Sequence, residues 1–230
     1  MILLLLWASL AAATPAPGAP GSSSTWTNGN KQGVGTANSL ASKVWFTLGD
    51  GALQEVYYPT VDQANTRLLE LVVTDGRGLL ERESADTSHQ VLVPDSSAPL
   101  FTQVNTSRTG RYRIRKTTVA DPERDALLIR VSFEPLEPGS YRLFAVFDPA
   151  IGNSGFHDTG WSTGTALLSS DGPVAAALAS SPSFSRVTSG FAGAFDGLSD
   201  TFSRASDGNV VQWAELPAGA KTFALALGFG

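Results

Sequence analysis

The sequence predicts an all-β fold, a large antiparallel β-sandwich, and three observations carry that reading. Apolar runs are short and rich in β-branched and aromatic residues, glycine-bearing turn sequences separate them, and no segment beyond residue 13 sustains an amphipathic helix past three turns. The runs are 43–48, 53–58, 68–74, 126–133, 141–147, 210–216 and 222–227, each of strand length. Between them stand Gly49-Asp50-Gly51, Asp75-Gly76, Glu137-Pro138-Gly139, Asp171-Gly172-Pro173 and Asp207-Gly208, which supply glycine where a turn needs positive φ. The nearest thing to a helix, 174–179, lies between Pro173 and Pro182. About a dozen strands at hairpin spacing do not fit one flat sheet, so two antiparallel sheets packed face to face are expected.

Composition narrows the chemistry. The 230 residues contain no Cys and two His, which excludes disulfides, thiolate catalysis and Cys-ligated metals and leaves an imidazole metal site short of ligands. Sixteen Lys plus Arg against 21 Asp plus Glu give a net charge of −5, so the attraction that drives nucleic-acid binding is missing. Charged residues make up 16% and hydrophobic ones 42%, the profile of a folded chain.

In chain order, residues 1–13 are apolar apart from Ser9, with Leu3 to Leu6 unbroken and small alanines at 11–13. This pattern reads as a secretory signal peptide that is too short to span a bilayer, although no Lys or Arg precedes the run. The expected product is exported, to the medium, periplasm or cell surface, with no membrane attachment after cleavage. Residues 14–24 are Pro, Gly and Ser rich and are expected to stay loose, with folding beginning at residue 25. Arg111-Tyr112-Arg113-Ile114-Arg115 alternates strictly, so a strand would send the guanidinium groups to one face and Tyr112 and Ile114 to the other. Carboxylates from 121–125 are the expected cross-strand partners of the arginines. Residues 223–230 read as core strand, so the chain is expected to be part of a longer polypeptide.

Catalytic motifs are few. Gly160-Trp161-Ser162-Thr163-Gly164 matches the nucleophile elbow, but both His89 and His157 precede Ser162, and 165–171 is too short for the helix that should follow. Gly33-Val34-Gly35-Thr36-Ala37-Asn38 lacks the third glycine of a dinucleotide fingerprint. The pairs Glu81 with Glu83 and Asp121 with Glu123 stand beside Arg82 and Arg124 and read as solvated salt links, so no acid/base pair is assigned. Asp196 and Asp200 could ligate a hard cation such as Ca²⁺ but lack a diagnostic spacing, and neither a metal nor a cofactor is assigned. More suggestive is the run from Asp148 to Trp161, expected as an irregular loop, which combines amide, imidazole, carboxylate and indole groups. Sugars are bound by that palette, aromatic faces on C–H surfaces and planar polar groups on hydroxyls. Its alternative is a purely structural loop. Glu55-Val56-Tyr57-Tyr58-Pro59 is similar in kind, a strand end presenting aromatics before a proline turn, with core tyrosines as its alternative.

Several stretches together resemble the N-terminal domain of bacterial glucoamylases and glucodextranases, the family 15 glycoside hydrolases. They are Ser24-Thr25-Trp26 with residues 31–36, residues 44–47 through Gly51 to 55–59, residues 72–76, the 148–161 run, Asp196-Gly197 with Asp200, and residues 225–230. The chain departs from relatives across 190–196, where aromatic and polar residues are replaced by small ones. The resemblance implies a super-β-sandwich of the galactose-mutarotase kind over 25–230, normally followed by a helical linker and a six-fold α/α barrel. That barrel would carry both catalytic glutamates, so no residue of this chain is assigned a catalytic role. A place on the cleft rim is transferred to Tyr57, Tyr58, Asp158 and Trp161. The implied partners are an α-glucan and the intramolecular barrel. Two other readings remain, a stand-alone carbohydrate-binding or cell-surface module, and an epimerase, which would need its own His and Glu pair.

Overall fold

A computed structural model describes residues 14–95 and 97–230, so the expected signal peptide lies outside the described residues. In chain order the strands are β1 (Gly33–Thr36), β2 (Trp45–Gly49), β3 (Ala52–Tyr57), β4 (Ala64–Thr74), β5 (Leu80–Arg82), β6 (Thr87–Leu92), β7 (Phe101–Ser107), β8 (Tyr112–Ala120) and β9 (Ala126–Pro135). They continue as β10 (Arg142–Pro149), β11 (Asp158–Thr163), β12 (Ala166–Asp171), β13 (Val174–Ser181), β14 (Arg186–Phe191), β15 (Arg204–Gly208), β16 (Val210–Glu215) and β17 (Thr222–Phe229). One helical turn, α1 (Glu83–Asp86), and a 3-10 turn at Ile151–Asn153 complete the inventory among the described residues.

Each of the seven expected runs falls on a strand. The eight-stranded sheet runs β1-β2-β3-β4-β10-β16-β14, with β5 also on β4, and the nine-stranded sheet runs β15-β11-β12-β13-β17-β9-β8-β7-β6. The strands missing from the sequence reading are short edges such as β1, β5 and β15, or polar ones such as β6 and β7, which carry no apolar run. The alanine-rich segment expected as the nearest thing to a helix is β13, because β12 and β17 pair with it on both sides and bury Ala176 and Leu178 between the sheets. The core lies between the sheets and includes Phe46, Val56, Leu71, Val73, Ile114, Leu127, Ile129, Phe147 and Leu225.

The alternation of β8 holds, with Tyr112 and Ile114 fully buried and Arg113 and Arg115 on the outer face. The partners of these arginines are not the 121–125 carboxylates. Arg113 meets Glu134, directly opposite on β9, at 3.2 Å, and Arg111 reaches Asp75 at 3.5 Å. Asp121 instead accepts from the amides of Glu123 and Arg124 in its own turn.

The same pleat carries Lys116 inward, and here the structure corrects the view of Glu81 and Glu83 as solvated. Glu83 has no exposed surface, and its carboxylate accepts from Lys116 Nζ at 2.6 Å, Asn105 Nδ2 at 2.6 Å and the Leu71 amide at 2.7 Å. Lys116 and Asn105 both also donate to Gly51 O, at 2.8 Å and 2.7 Å. One sheet thus supplies Lys116 and Asn105, and the other supplies Gly51, Leu71 and, through the turn after β5, Glu83. Burial pushes the Glu83 carboxyl upward, while the ammonium of Lys116 and three hydrogen bonds act against it. Glu81 is buried too, accepting from Ser107 Oγ and Thr109 Oγ1, and Arg82 turns to Glu70 at 2.8 Å. Both glutamates are pinned because β5 pairs with β4 and carries them under the neighbouring sheet.

Residues 14–24 are not loose, and the domain does not begin at residue 25. The Ala16 amide donates to Arg204 O at 2.7 Å, Ser22 N to Ala192 O at 2.8 Å, and Asn209 N to Pro20 O at 2.7 Å. Asn209 Nδ2 adds a bond to Ser22 O at 2.8 Å. Proline limits the unfolded ensemble of such a strap, and edge strand β15 leaves backbone groups for it to satisfy.

Lys116→Met is expected to cost about 3–5 kcal/mol in urea unfolding, because it leaves the Glu83 carboxylate buried without a counter-charge. Adding Glu83→Gln should recover part of that loss. In hydrogen exchange, the Ala16 and Ser22 amides should exchange at least about tenfold more slowly than in a free peptide of residues 14–25.

Candidate functional site

Strand β3 contains an extra residue relative to β2. Thr47 faces Gln54 and Phe46 faces Val56, which leaves Glu55 unmatched in a bulge with φ of 41°. A left-handed non-glycine residue in a bulge re-aims its side chain. Here it turns the Glu55 carboxylate toward the 26–32 segment. That carboxylate accepts from the Thr27 amide at 3.0 Å and forms an ion pair with Lys31. Lys31 also donates to Thr27 Oγ1 at 2.6 Å and Gln54 Oε1 at 3.1 Å, so its three donors are all spent within the protein.

Above this network lies a hollow of about 330 Å³. Trp26, Asn28, Lys31, Glu55, Tyr57 and Asn153 line it, and Trp26 remains 44% exposed. The Tyr57 phenol is held above its usual range by burial first and by the nearby Glu55 charge second, so it is a neutral donor. Tyr57 stands directly opposite Trp45 on β2, which is itself 38% exposed, so aromatic surface continues beyond the hollow. A smaller hollow, about 120 Å³, is lined by Ser22 to Thr25, Arg67, Asp148, Ala192 and Asn209. Asp148 pairs with Arg67 at 2.7 Å, while its Oδ1 is buried with no hydrogen-bond partner among the described residues. Burial raises its carboxyl to about 6 against the pull of Arg67.

Of the four sequence-predicted rim residues, Tyr57 opens on the larger hollow. Tyr58 turns into the core and stacks on Phe229, with centroids 5.7 Å apart and planes at 20°. Asp158 has no exposed surface. Trp161 is half-buried on β11 beneath the Arg204 guanidinium, 5.9 Å from the ring centroid. The structure therefore does not gather the four into one site. Nor is 148–161 an irregular loop throughout, since Asp148 and Pro149 end β10 and residues 158–161 belong to β11, leaving 150–157 between them. Ser162 lies within β11, and its backbone amide donates to Ser203 O at 3.0 Å, with no elbow around it. His157 Nδ1 is 2.7 Å from exposed Asp207 and His89 is 3.9 Å from Asp50, so neither imidazole meets a glutamate. Asp196 accepts from Leu198 N and Ser199 Oγ, and Asp200 from Asp196 N, which closes a turn with the oxygens a cation would need. Sequence reasoning assigned no rim role to Trp26, Lys31, Glu55 or Asn153, although Glu55 and Asn153 lie in the 55–59 and 148–161 stretches it singled out. Their signal was partial, an aromatic followed by the turn formers Asn28-Gly29-Asn30.

Comparison with known proteins places the chain and its fold. The family described as glucodextranase, domain N, matches residues 16–230. The chain belongs to that family. A glucoamylase from Clostridium sp. (strain G0005) is 42% identical over 144 residues, which are 62% of this chain and 20% of the relative. The crystal structure of a bacterial glucoamylase complexed with acarbose superposes with a TM-score of 0.90 at 33% identity, covering 94% of this chain and 34% of that one. This N domain thus spans about a fifth of the curated relative and about a third of the glucoamylase chain, and its two-sheet sandwich is the fold found there. The match from residue 16 also takes in most of the docked strap.

Within the N domain, Asp158 fixes the turn that presents Asn153. Its Oδ1 accepts from the Ile151 amide at 3.1 Å, and its Oδ2 has no partner among the described residues. Burial raises its carboxyl to about 8, opposed by the Ile151 amide and reinforced by the charges of Asp171 and Asp148. The folded state therefore binds this proton more tightly than the unfolded state, whose carboxyl titrates near 3.8. The resulting stability is fully present below about pH 4 and is lost as pH rises through 8. Asp158→Asn should match the parent at or below about pH 4 and exceed it increasingly up to pH 8, flattening the pH dependence of the urea midpoint, with a difference of order several kcal/mol at pH 8.

Proposed function

We propose that this N domain is the non-catalytic sandwich half of an exported, exo-acting α-glucan hydrolase. The parent enzyme releases glucose, with inversion, from the chain ends of starch-like or dextran-like substrates. Its acid and base are two glutamates in an α/α barrel that follows the sandwich. The observation that carries this reading is the family match over 16–230, in a chain that makes up only 20% of a glucoamylase relative. The fate of the buried glutamates supports it. Glu55, Glu70, Glu81 and Glu83 are all tied to donors of the sandwich itself, leaving none of the buried glutamates among the described residues poised to move a proton in a cleft.

In this reading the apolar run at 1–13 directs export. The sandwich packs beside the barrel and contributes Tyr57 to the rim of the substrate cleft. Tyr58 and Asp158 act from behind it, the first anchoring the end of β3 on Phe229, the second holding the turn that carries Asn153. Trp161, on the other sheet, is a second aromatic contact beneath Arg204. A stand-alone carbohydrate-binding module is the second reading, and the aromatic hollow at Trp26 favours it.

The chain alone is expected to release no glucose from maltotetraose or isomaltotriose, whereas the same gene extended downstream by the length of its relatives should release it. Glucose release by residues 14–230 alone, or an inactive extended protein, would overturn the proposal.

A further inference from the structure

We propose that the hollow between Trp26 and Tyr57 is a binding site for a neutral pyranosyl unit and, given the function proposed above, for one belonging to an α-glucan. The pyranose class rests on the lining itself, and the choice of an α-glucan rests on that function.

Three features select a sugar. An indole and a phenol ring border a space of about 330 Å³, at the lower end of the range for small-ligand pockets and sufficient for one ring and part of its neighbour. Aromatic faces cover the C–H surfaces of a pyranose, while hydroxyls need planar polar groups at the edge. Such groups are present and unspent, since the Tyr57 hydroxyl and the Asn153 side-chain amide have no hydrogen-bond partner among the described residues. Asn153 is held there by left-handed backbone, φ 62°, in the 3-10 turn that Asp158 anchors.

Charge excludes the competing ligands. Lys31 and Glu55 neutralise each other in contact, and every Lys31 donor is used by the protein. A phosphate or carboxylate ligand would find no free cation in the hollow, and an organic cation no free anion. What the ion pair supplies is position. It clamps the 26–32 segment to the β3 bulge and so holds Trp26 at the hollow that Tyr57 also lines before any ligand arrives, which reduces the ordering cost of binding. The smaller hollow beside residues 22–25 adds mostly polar groups next to the same segment. Its Ser22, Ser23 and Ser24 hydroxyls provide acceptors and donors for the hydroxyls of an adjoining unit.

The test is titration of this chain with maltotetraose, followed through the Trp26 indole N–H and the Asn153 side-chain amide resonances. Both should shift together and saturate. Trp26→Ala should weaken binding about tenfold, and Trp26→Phe, which keeps an aromatic face, should weaken it less. Leu40→Ala, at a position 99% exposed and outside the hollow, should bind as the parent does. The proposal is overturned if neither resonance moves at ligand concentrations on the order of 10 mM, or if a folded Trp26→Ala protein binds as the parent does. Equally tight binding of cellotetraose overturns the assignment to an α-glucan. Because no catalysis enters the readout, an inactive extended enzyme would sink the proposed function without touching the result here.

Discussion

The two sheets are keyed to each other by a single buried ammonium. An ion inside a core is favourable only when its counter-charge and all remaining lone pairs and protons are satisfied. Lys116 gains its counter-charge from α1 and a carbonyl acceptor from the β2–β3 turn, both belonging to the opposite sheet. Gly51 is forced by this contact. Its φ is 72°, and a Cβ there would lie 2.8 Å from Asn105 Oδ1. Sliding one sheet over the other would strand a charge, whereas a purely apolar interface would tolerate several alignments. The network therefore sets the alignment of the sandwich, and the apolar core around it provides cohesion.

The exposed edges and faces of the sheets are managed by chain that is not itself strand. The strap at 14–24 satisfies backbone groups of β15 and of the turn after β14. A second small cluster, Val72, Phe144 and Val146 with Leu198, Val211 and Trp213, covers part of the outer face of the eight-stranded sheet. Arg142 and Arg186 lie over Phe144, and Arg82 lies over Trp213. With those regions closed, the stretch around Trp26, Trp45 and Tyr57 stands out as aromatic surface left open on that sheet. Its openness is maintained by structure, since the β3 bulge, the Lys31–Glu55 pair and the Asp158-anchored turn all hold side chains at its border.

Asp158 links stability to that border. A carboxyl buried among other acids is tolerated mainly in its protonated form, and the same group fixes the amide of Ile151 two residues before Asn153. Acidic conditions thus favour the conformation that presents Asn153, and alkaline conditions work against it.

The sequence by itself determined the all-β class, seven of the strands and the half-buried character of β8, because period-two alternation and turn chemistry are local properties of the chain. It also carried the family, through matches spread along its length. The Tyr57 end of β3 was legible for the same local reason. What only the tertiary structure decided depends on partners far away in the chain. Glu83 reads as a surface acid until Lys116, 33 residues on, is seen to face it. Residues 14–24 read as loose until the edge of β15, near residue 204, gives them hydrogen bonds. Trp26, Glu55 and Asn153 come together from three separate segments through a bulge and a turn that no periodicity announces. Periodicity reports which face of a strand a side chain takes, whereas the group it meets there is set by sheet order and register, and these follow from long-range pairing.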